Sequence, residues 1–232
     1  FNFTDAGLDG RTGTADDRVV PMLGFPNASA AQFSNKSIVM NVPRYSRYKT
    51  IEASMNKRYG NKWSGQLGFG YTMLTDFPNG YPQNPNQPGV EDRTLWNFKA
   101  AASYDAPHGI RISPVLRHQS GLNYARTLAI TAPASCACTP TSFRQSATSD
   151  GTLAYAEPMN ANREDNIWVF DVRAEKSLSI TNRLKVRAYL DVFNITNSHA
   201  SETISRATGL GYQKPSAILA PLTTRVGFRV VF

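Results

Sequence analysis

Between positions 5 and 17 the chain reads DAGLDGRTGTADD, with carboxylates at Asp5, Asp9, Asp16 and Asp17 and glycines at Gly7, Gly10 and Gly13. Oxygen ligands spaced along a glycine-bent loop could wrap a hard cation such as calcium. The spacing is not that of an EF-hand, which closes its twelve-residue loop with Glu, so a solvated, metal-free acidic turn stays open beside the calcium reading. Cys136 and Cys138 stand one residue apart in a Ser/Thr/Ala/Pro-rich stretch. That spacing offers no zinc framework and leaves a small disulfide or two free thiols. The histidines are His108 in a short turn, His118 near the end of a strand and His199 in a long connection. No Ser/His/Asp constellation follows from their spacing, and an enzyme is not expected.

A formal charge of +8 over 232 residues admits nucleic acid, an anionic lipid surface or an anionic solute as partner, and only the position of the charges discriminates them. No apolar run approaches the roughly 20 residues that a membrane-spanning helix needs. The hydrophobic fraction is 41 %, with 12 Phe and 10 Tyr, and the mean hydropathy is slightly negative, which a β-barrel of alternating polarity would also give. There is no starting Met, and FNFTDAG is neither a signal peptide nor a capped domain start, so the chain reads as part of something larger.

The elements that would position these groups are strands. Ile51, Ala53 and Met55 alternate with Glu52, Ser54 and Asn56, and after a turn at 59–62 the series Trp63, Gly65, Leu67, Phe69, Tyr71, Met73 alternates with Ser64, Gln66, Gly68, Gly70, Thr72. About twelve residues at about 3.3 Å each, tilted by about 40°, rise roughly 30 Å, enough for the apolar band of an outer-membrane barrel. Trp63 and Tyr71 suit aromatic girdles at the two ends. A proline-rich loop at 75–92 precedes a strand through Trp96, Phe98 and Tyr104, the turn 107–109, and a return strand weakened by Pro114. Two further strands flank the turn 180–182, and folding them together sets Glu175 near Arg187 or, shifted by two, Arg173 near Asp191. The last twelve residues, PLTTRVGFRVVF, put Thr224, Val226, Phe228, Val230 and Phe232 on one face and Arg225, Gly227, Arg229 and Val231 on the other.

The connections alternate in length. Turns at 59–62, 107–109 and 180–182 are short, and connections at 75–92, 122–165 and 194–220 are long, as is the loop at 4–43 that follows a strand stub at positions 1–3. A membrane barrel predicts this parity, with short periplasmic turns and long extracellular loops, whereas a soluble sandwich has no reason to sort its loops. The division expected is a stub and extracellular loop over 1–43 and antiparallel transmembrane β-barrel over 44–232. Seven strands cannot close such a wall alone, so upstream strands or partner chains must complete it. The basic residues Arg111, Arg117, Lys185, Arg187, Arg225 and Arg229 fall on the polar face, either attracting an anionic solute or a plug, or partly paired with Asp171, Glu175 and Asp191 in a hydrated lumen.

Three stretches, RYKTIEASMNKRYGNKWSGQLGFGYT, DNIWVFDVRAEKSLSITNRLKVRAYLDVFNITN and the terminal TRVGFRVVF, resemble the C-terminal barrel region of TonB-dependent outer-membrane receptors. The likeness is to the Oar-like group carrying a carboxypeptidase-regulatory-like domain. LDVFNITN, residues 190–197, is similar to that group's "EVFNLFN" segment, and the acidic string 5–17 looks like a loop insert common there. The resemblance implies a barrel of about 22 strands, of which these are the last seven. It also implies a Gram-negative outer membrane with the C-terminus periplasmic, and uptake of a scarce solute driven by TonB through a plug domain absent from this sequence. Phe228, Val230 and Phe232 resemble the signal read by the barrel assembly machinery. The expected surroundings are outer-membrane lipid and no nucleic acid. The alternative expectation is a structural surface β protein that assembles through its open strand edges.

Overall fold

The computed structural model describes residues 1–22, 28, 32, 46–76, 91–130, 153–158, 160–181 and 184–231. Cys136, Cys138, Asn182 and Phe232 lie outside them, as does the stretch 77–90. A hairpin of β1 (Asn2–Asp5) and β2 (Arg18–Pro21) comes first, followed by the long strands β3 (Arg47–Gly60), β4 (Trp63–Asp76), β5 (Glu91–Ala106) and β6 (Ile110–Gln119). Four short strands come next, β7 (Asn123–Tyr124), β8 (Thr127–Ala129), β9 (Leu153–Tyr155) and β10 (Asn162–Arg163). The chain ends with β11 (Ile167–Ser179), β12 (Lys185–Phe193), the short β13 (Ser201–Ile204) and β14 (Pro215–Ile218), and β15 (Thr223–Val231).

The protein is all-β, and every strand pair is antiparallel. The seven long strands form one sheet in the order β15-β12-β11-β6-β5-β4-β3, a plain meander. Among the described residues this sheet is open, ending at β3 and β15, and no closed barrel is formed. The three tight turns lie at one end. Asn61 and Lys62 both take positive φ, 54° and 68°, as a tight hairpin turn requires, and the next turn runs through Pro107–Gly109 with His108 at φ 63°. In the third, the Ile180 and Thr181 amides both donate to the Leu184 carbonyl. Pro114 stays inside β6, but no pairing forms between Ala101–Val115 and Tyr104–Ile112, where proline has no N–H to give.

Register sorts the side chains onto two faces. Met55, Leu67, Ala100, Leu116 and Phe170 stand side by side across β3, β4, β5, β6 and β11, and Ala174, Leu190 and Val226 do so across β11, β12 and β15. On the other face Arg173 lies opposite Asp191, and Asp191 opposite Arg225. Asp191 is only 3 % exposed and accepts from Arg173 Nε at 2.6 Å and Nη2 at 3.0 Å, and from Arg225 Nη2 at 2.7 Å. Glu175 and Arg187 also meet, diagonally, at 3.6 Å. Both charge pairs expected from the sequence are therefore present in one register. Gly227 is required here: a Cβ on it would come within 2.4 Å of the Tyr189 ring lying over it, and the Arg173 guanidinium stacks on that ring at 4.7 Å.

The structure corrects the reading of the long connections. The stub at 1–3 is not a wall strand; β1 pairs with β2, inside what reads as loop. The segment 122–165 holds β7–β10, with β7 paired to β10 and β8 to β9, and 194–220 holds the β13–β14 hairpin. Strands of two to four residues contain too few alternations to register as a period, and their partners are far along the chain. β4 and β5 also run to Asp76 and from Glu91, into the expected loop 75–92.

Because two guanidinium groups share Asp191, Asp191→Asn should weaken the β11–β12–β15 seam by about 1–2 kcal/mol, a value limited by the half-exposed arginines. Denaturant midpoints of the protein, with and without the substitution, measure this; an unchanged midpoint would remove the seam assignment.

Candidate functional site

The basic residues of the polar face divide into paired and unpaired groups. Arg111 Nε donates to Asp105 Oδ1 at 2.6 Å, and the same carboxylate accepts from the Tyr59 hydroxyl at 2.6 Å. Arg117 Nη2 donates to Asp171 at 2.9 Å, Arg187 pairs with Glu175 and Arg225 with Asp191. Lys185 and Arg229 have no ion pair among the described residues. Most of the positive charge of this group is thus answered within the sheet.

The acidic string 5–17 is folded by its own donors. The Gly7 amide donates to Asp5 Oδ1 at 3.1 Å and the Arg11 amide to Asp9 Oδ1 at 2.8 Å, two local turns of the Asx kind. Asp16 accepts from the Leu8 amide and the Thr14 hydroxyl, both at 2.8 Å, and Asp17 accepts from the Gly13 amide at 2.6 Å. Gly7 is needed for this fold, since its φ is +62° and a Cβ there would lie 2.0 Å from Asp16 Oδ2. Asp5 turns inward: it is 1 % exposed and, besides the Gly7 amide, takes both Arg126 Nη1 and Nη2, at 2.8 and 2.6 Å. Among the described residues no three His, Cys, Asp or Glu side chains are grouped to hold a metal. The four expected calcium ligands are not brought together, and the hydrogen bonds seen are those of an acidic turn.

Arg126 is where the long connections meet. Its Nη1 also donates to the Thr208 hydroxyl at 2.9 Å, its amide donates to Glu157 Oε1 at 2.9 Å, and its carbonyl accepts from the Ala156 amide. Beside this pair Met22, Leu128 and Ile130 form a small buried core with Phe1, Phe3 and Val20 against it. Segments from four separate parts of the chain, 1–22, 120–130, 153–164 and 205–213, are so packed into one layer at the long-connection end of the sheet. Close approach permits it: a Cβ on Gly121 would lie 1.9 Å from the Glu164 carbonyl oxygen.

LDVFNITN ties that layer to the long sheet. The Asn194 amide donates to Asp171 Oδ1 at 2.8 Å, while its side-chain Nδ2 donates to the carbonyls of Ser198 and Ala220, both at 2.8 Å. Asn194 and Asn197 both take positive φ, 49° and 48°, and Asn197 Oδ1 accepts from the Leu222 amide. One turn holds both ends of the β13–β14 connection over the polar face. Beneath it lies a cavity of 890 Å³, walled by Asn97, Lys99, Arg117 and Gln119 of β5 and β6 and roofed by Glu202 and Pro221. Amides, cations of which Lys99 is unpaired among the described residues, and a carboxylate give it donors and acceptors for a polar solute.

The histidines are not assembled. His108 sits in the Pro107–Gly109 turn and its carbonyl accepts from Lys176 Nζ, and His199 lies between β12 and β13. His118 is buried on the apolar face, its ring 3.6 Å from that of Trp96 and 4.0 Å from that of Trp168. Sequence reasoning missed this stack, although the parity of His118 with Leu116 and Ile112 marks its face. Phe228 and Val230 lie on the exposed apolar face of β15.

Two outcomes follow from this layer. Arg126→Met should cost on the order of 3 kcal/mol by stranding the buried Asp5 carboxylate, and limited proteolysis should then cut within 1–22 and 205–213 while the sheet stays intact. The Thr14 hydroxyl, then the Leu8 amide, hold the Asp16 carboxyl below its ordinary 3.8. A depressed carboxyl stabilises fully above 3.8 and loses that contribution as pH falls through its lowered value, so the acidic loop should become protease-sensitive only in that acid range, with calcium or chelator making no difference at neutral pH. Comparison with protein-family models, curated proteins and solved structures finds no match.

Proposed function

We propose that this chain is the C-terminal part of the wall of a TonB-dependent outer-membrane receptor that takes up a scarce solute, in a barrel of about 22 strands. The observation that carries the reading is the uncovered apolar face of the long sheet. Met55 is 62 % exposed, Val226 80 % and Phe228 76 %, and nothing among the described residues lies over them. Water would oppose such a continuous surface, and lipid would not. From Trp63 to Met73 the face spans about 25 Å along a tilted strand, the height of an outer-membrane apolar band. Trp63 and Tyr104 stand at its tight-turn end and Trp96 and Trp168 at the other, in keeping with interfacial girdles.

In this reading the tight turns are periplasmic, the layer built on Arg126 is extracellular, and the 890 Å³ cavity faces the lumen where a polar solute would first meet the wall. Upstream strands close the barrel on β3 and β15, a plug domain couples to TonB, and Phe228 and Val230 serve recognition by the assembly machinery. A second reading, a structural surface protein assembling through open edges, has the unpaired edges of β3 and β15 in its favour.

Neighbouring alanines separate the two faces with little perturbation. In the full-length precursor with Cys136 and Cys138 replaced by serine, Ala101→Cys should react with a small water-soluble thiol reagent, and Ala100→Cys should be protected from it and quenched by a lipid-borne nitroxide. Equal reaction at both positions would end the membrane-wall reading. A mature chain of this length that forms mixed assemblies, with no longer precursor, would favour the structural one.

A further inference from the structure

Across the apolar face, register lines side chains into rows, and one row is small. Gly65 of β4 stands opposite Ala102 of β5, and the register that pairs Ala101 with Val115 and Tyr104 with Ile112 brings Pro114 of β6 next in line. On the tight-turn side of this row stand Trp63 and Tyr104; on the other stand Leu67, Leu116 and Phe170. A row of small residues between two bulky ones is a trench, and a cavity of 380 Å³ lies there. It crosses from β3 to β6, three interstrand spacings or about 14 Å.

At its β3 end the row stops on a cation. Lys57, paired with Gly65, places Nζ 4.2 Å from the centroid of the Trp63 ring and donates to the carbonyls of Arg58, Gly60 and Trp63 at 3.3, 3.0 and 3.3 Å. Its stem lies along apolar surface and its charge is carried up to the aromatic end of the face. Among the described residues Lys57 has no carboxylate partner. The carboxylate of that hairpin region, Asp105, is occupied by Arg111 and Tyr59. A cation with no carboxylate partner among the described residues, at the mouth of an apolar trench, complements an amphiphile with a negative head.

We propose that the trench binds an anionic phospholipid, one acyl chain over Gly65, Ala102 and Pro114 and the phosphate against Lys57. This rests on the membrane-wall reading. A cation beside an anionic headgroup is worth about fivefold in affinity, and that factor sets the size of the effect.

The test uses the full-length receptor in mixed micelles of equal phosphatidylglycerol and phosphatidylcholine, with retained lipid counted by native mass spectrometry. The wild type should retain phosphatidylglycerol over phosphatidylcholine by about fivefold or more. Lys57→Gln should lower that preference about fivefold, Ala102→Phe should abolish retention by filling the trench, and Ala188→Phe, on the same face but outside the trench, should change nothing. If Ala102→Phe does not fold, Lys57→Gln decides alone. Equal retention of the two lipids by the wild type, an undiminished preference in Lys57→Gln, or a folded Ala102→Phe that keeps its lipid would each overturn the assignment. Lost lipid preference with the Ala100/Ala101 labelling contrast intact removes only the trench; loss of that contrast removes the membrane wall with it.

Discussion

Everything in this molecule depends on the register of the long sheet, and the polar face is what pins it. Asp191 is shared between Arg173 on one neighbouring strand and Arg225 on the other, so β11, β12 and β15 are locked to each other by one carboxylate. A slip of one residue in either strand would carry the arginines to the apolar side and the aliphatic row of Ala174, Leu190 and Val226 to the polar side. Apolar alternation alone demands the correct parity but tolerates slips of two; the charge pairs remove that freedom.

The long sheet is a repetitive element, and the less regular packing is built on its far end. There the long connections are folded into a layer by a buried ion pair, Asp5 with Arg126, and by a core of few side chains. Burying such a pair is worthwhile only when the remaining hydrogen-bonding capacity is used, and the Thr208 hydroxyl on the guanidinium and the Gly7 amide on the carboxylate use it. Asn194 then joins layer to wall through Asp171, which also holds Arg117 on the cavity wall. The geometry of the cavity is therefore coupled to the segment LDVFNITN, where a positive φ and three separate hydrogen-bond roles fall on one asparagine.

The two ends of the sheet face different demands. At the tight-turn end the chain reverses in two or three residues, with Asn61, Lys62 and His108 taking left-handed backbone, and the side chains there are aromatic and cationic. At the other end the connections are long, and their described residues share a small apolar core beside the buried Asp5–Arg126 pair. Such asymmetry accords with the membrane wall proposed above, in which one side anchors and the other recognises.

The strands, the meander and the face of nearly every residue in it were legible in the sequence, because period-two alternation over nine to sixteen residues is a strong and purely local signal. Even the pairing of Arg173 with Asp191 and of Glu175 with Arg187 followed from folding two such strands about a short turn. The loop layer was not legible. Its strands are two to four residues long, and its central contact joins Asp5 to Arg126, 121 residues apart, so no local pattern announces it. The acidic string shows the boundary most clearly: composition said that carboxylates and glycines meet there, but only the tertiary structure decided that Asp5 would be taken away by an arginine 121 residues distant, leaving the others to cap backbone amides. A carboxylate accepts whatever donor is nearest in space, and nearness in space is what a sequence does not contain.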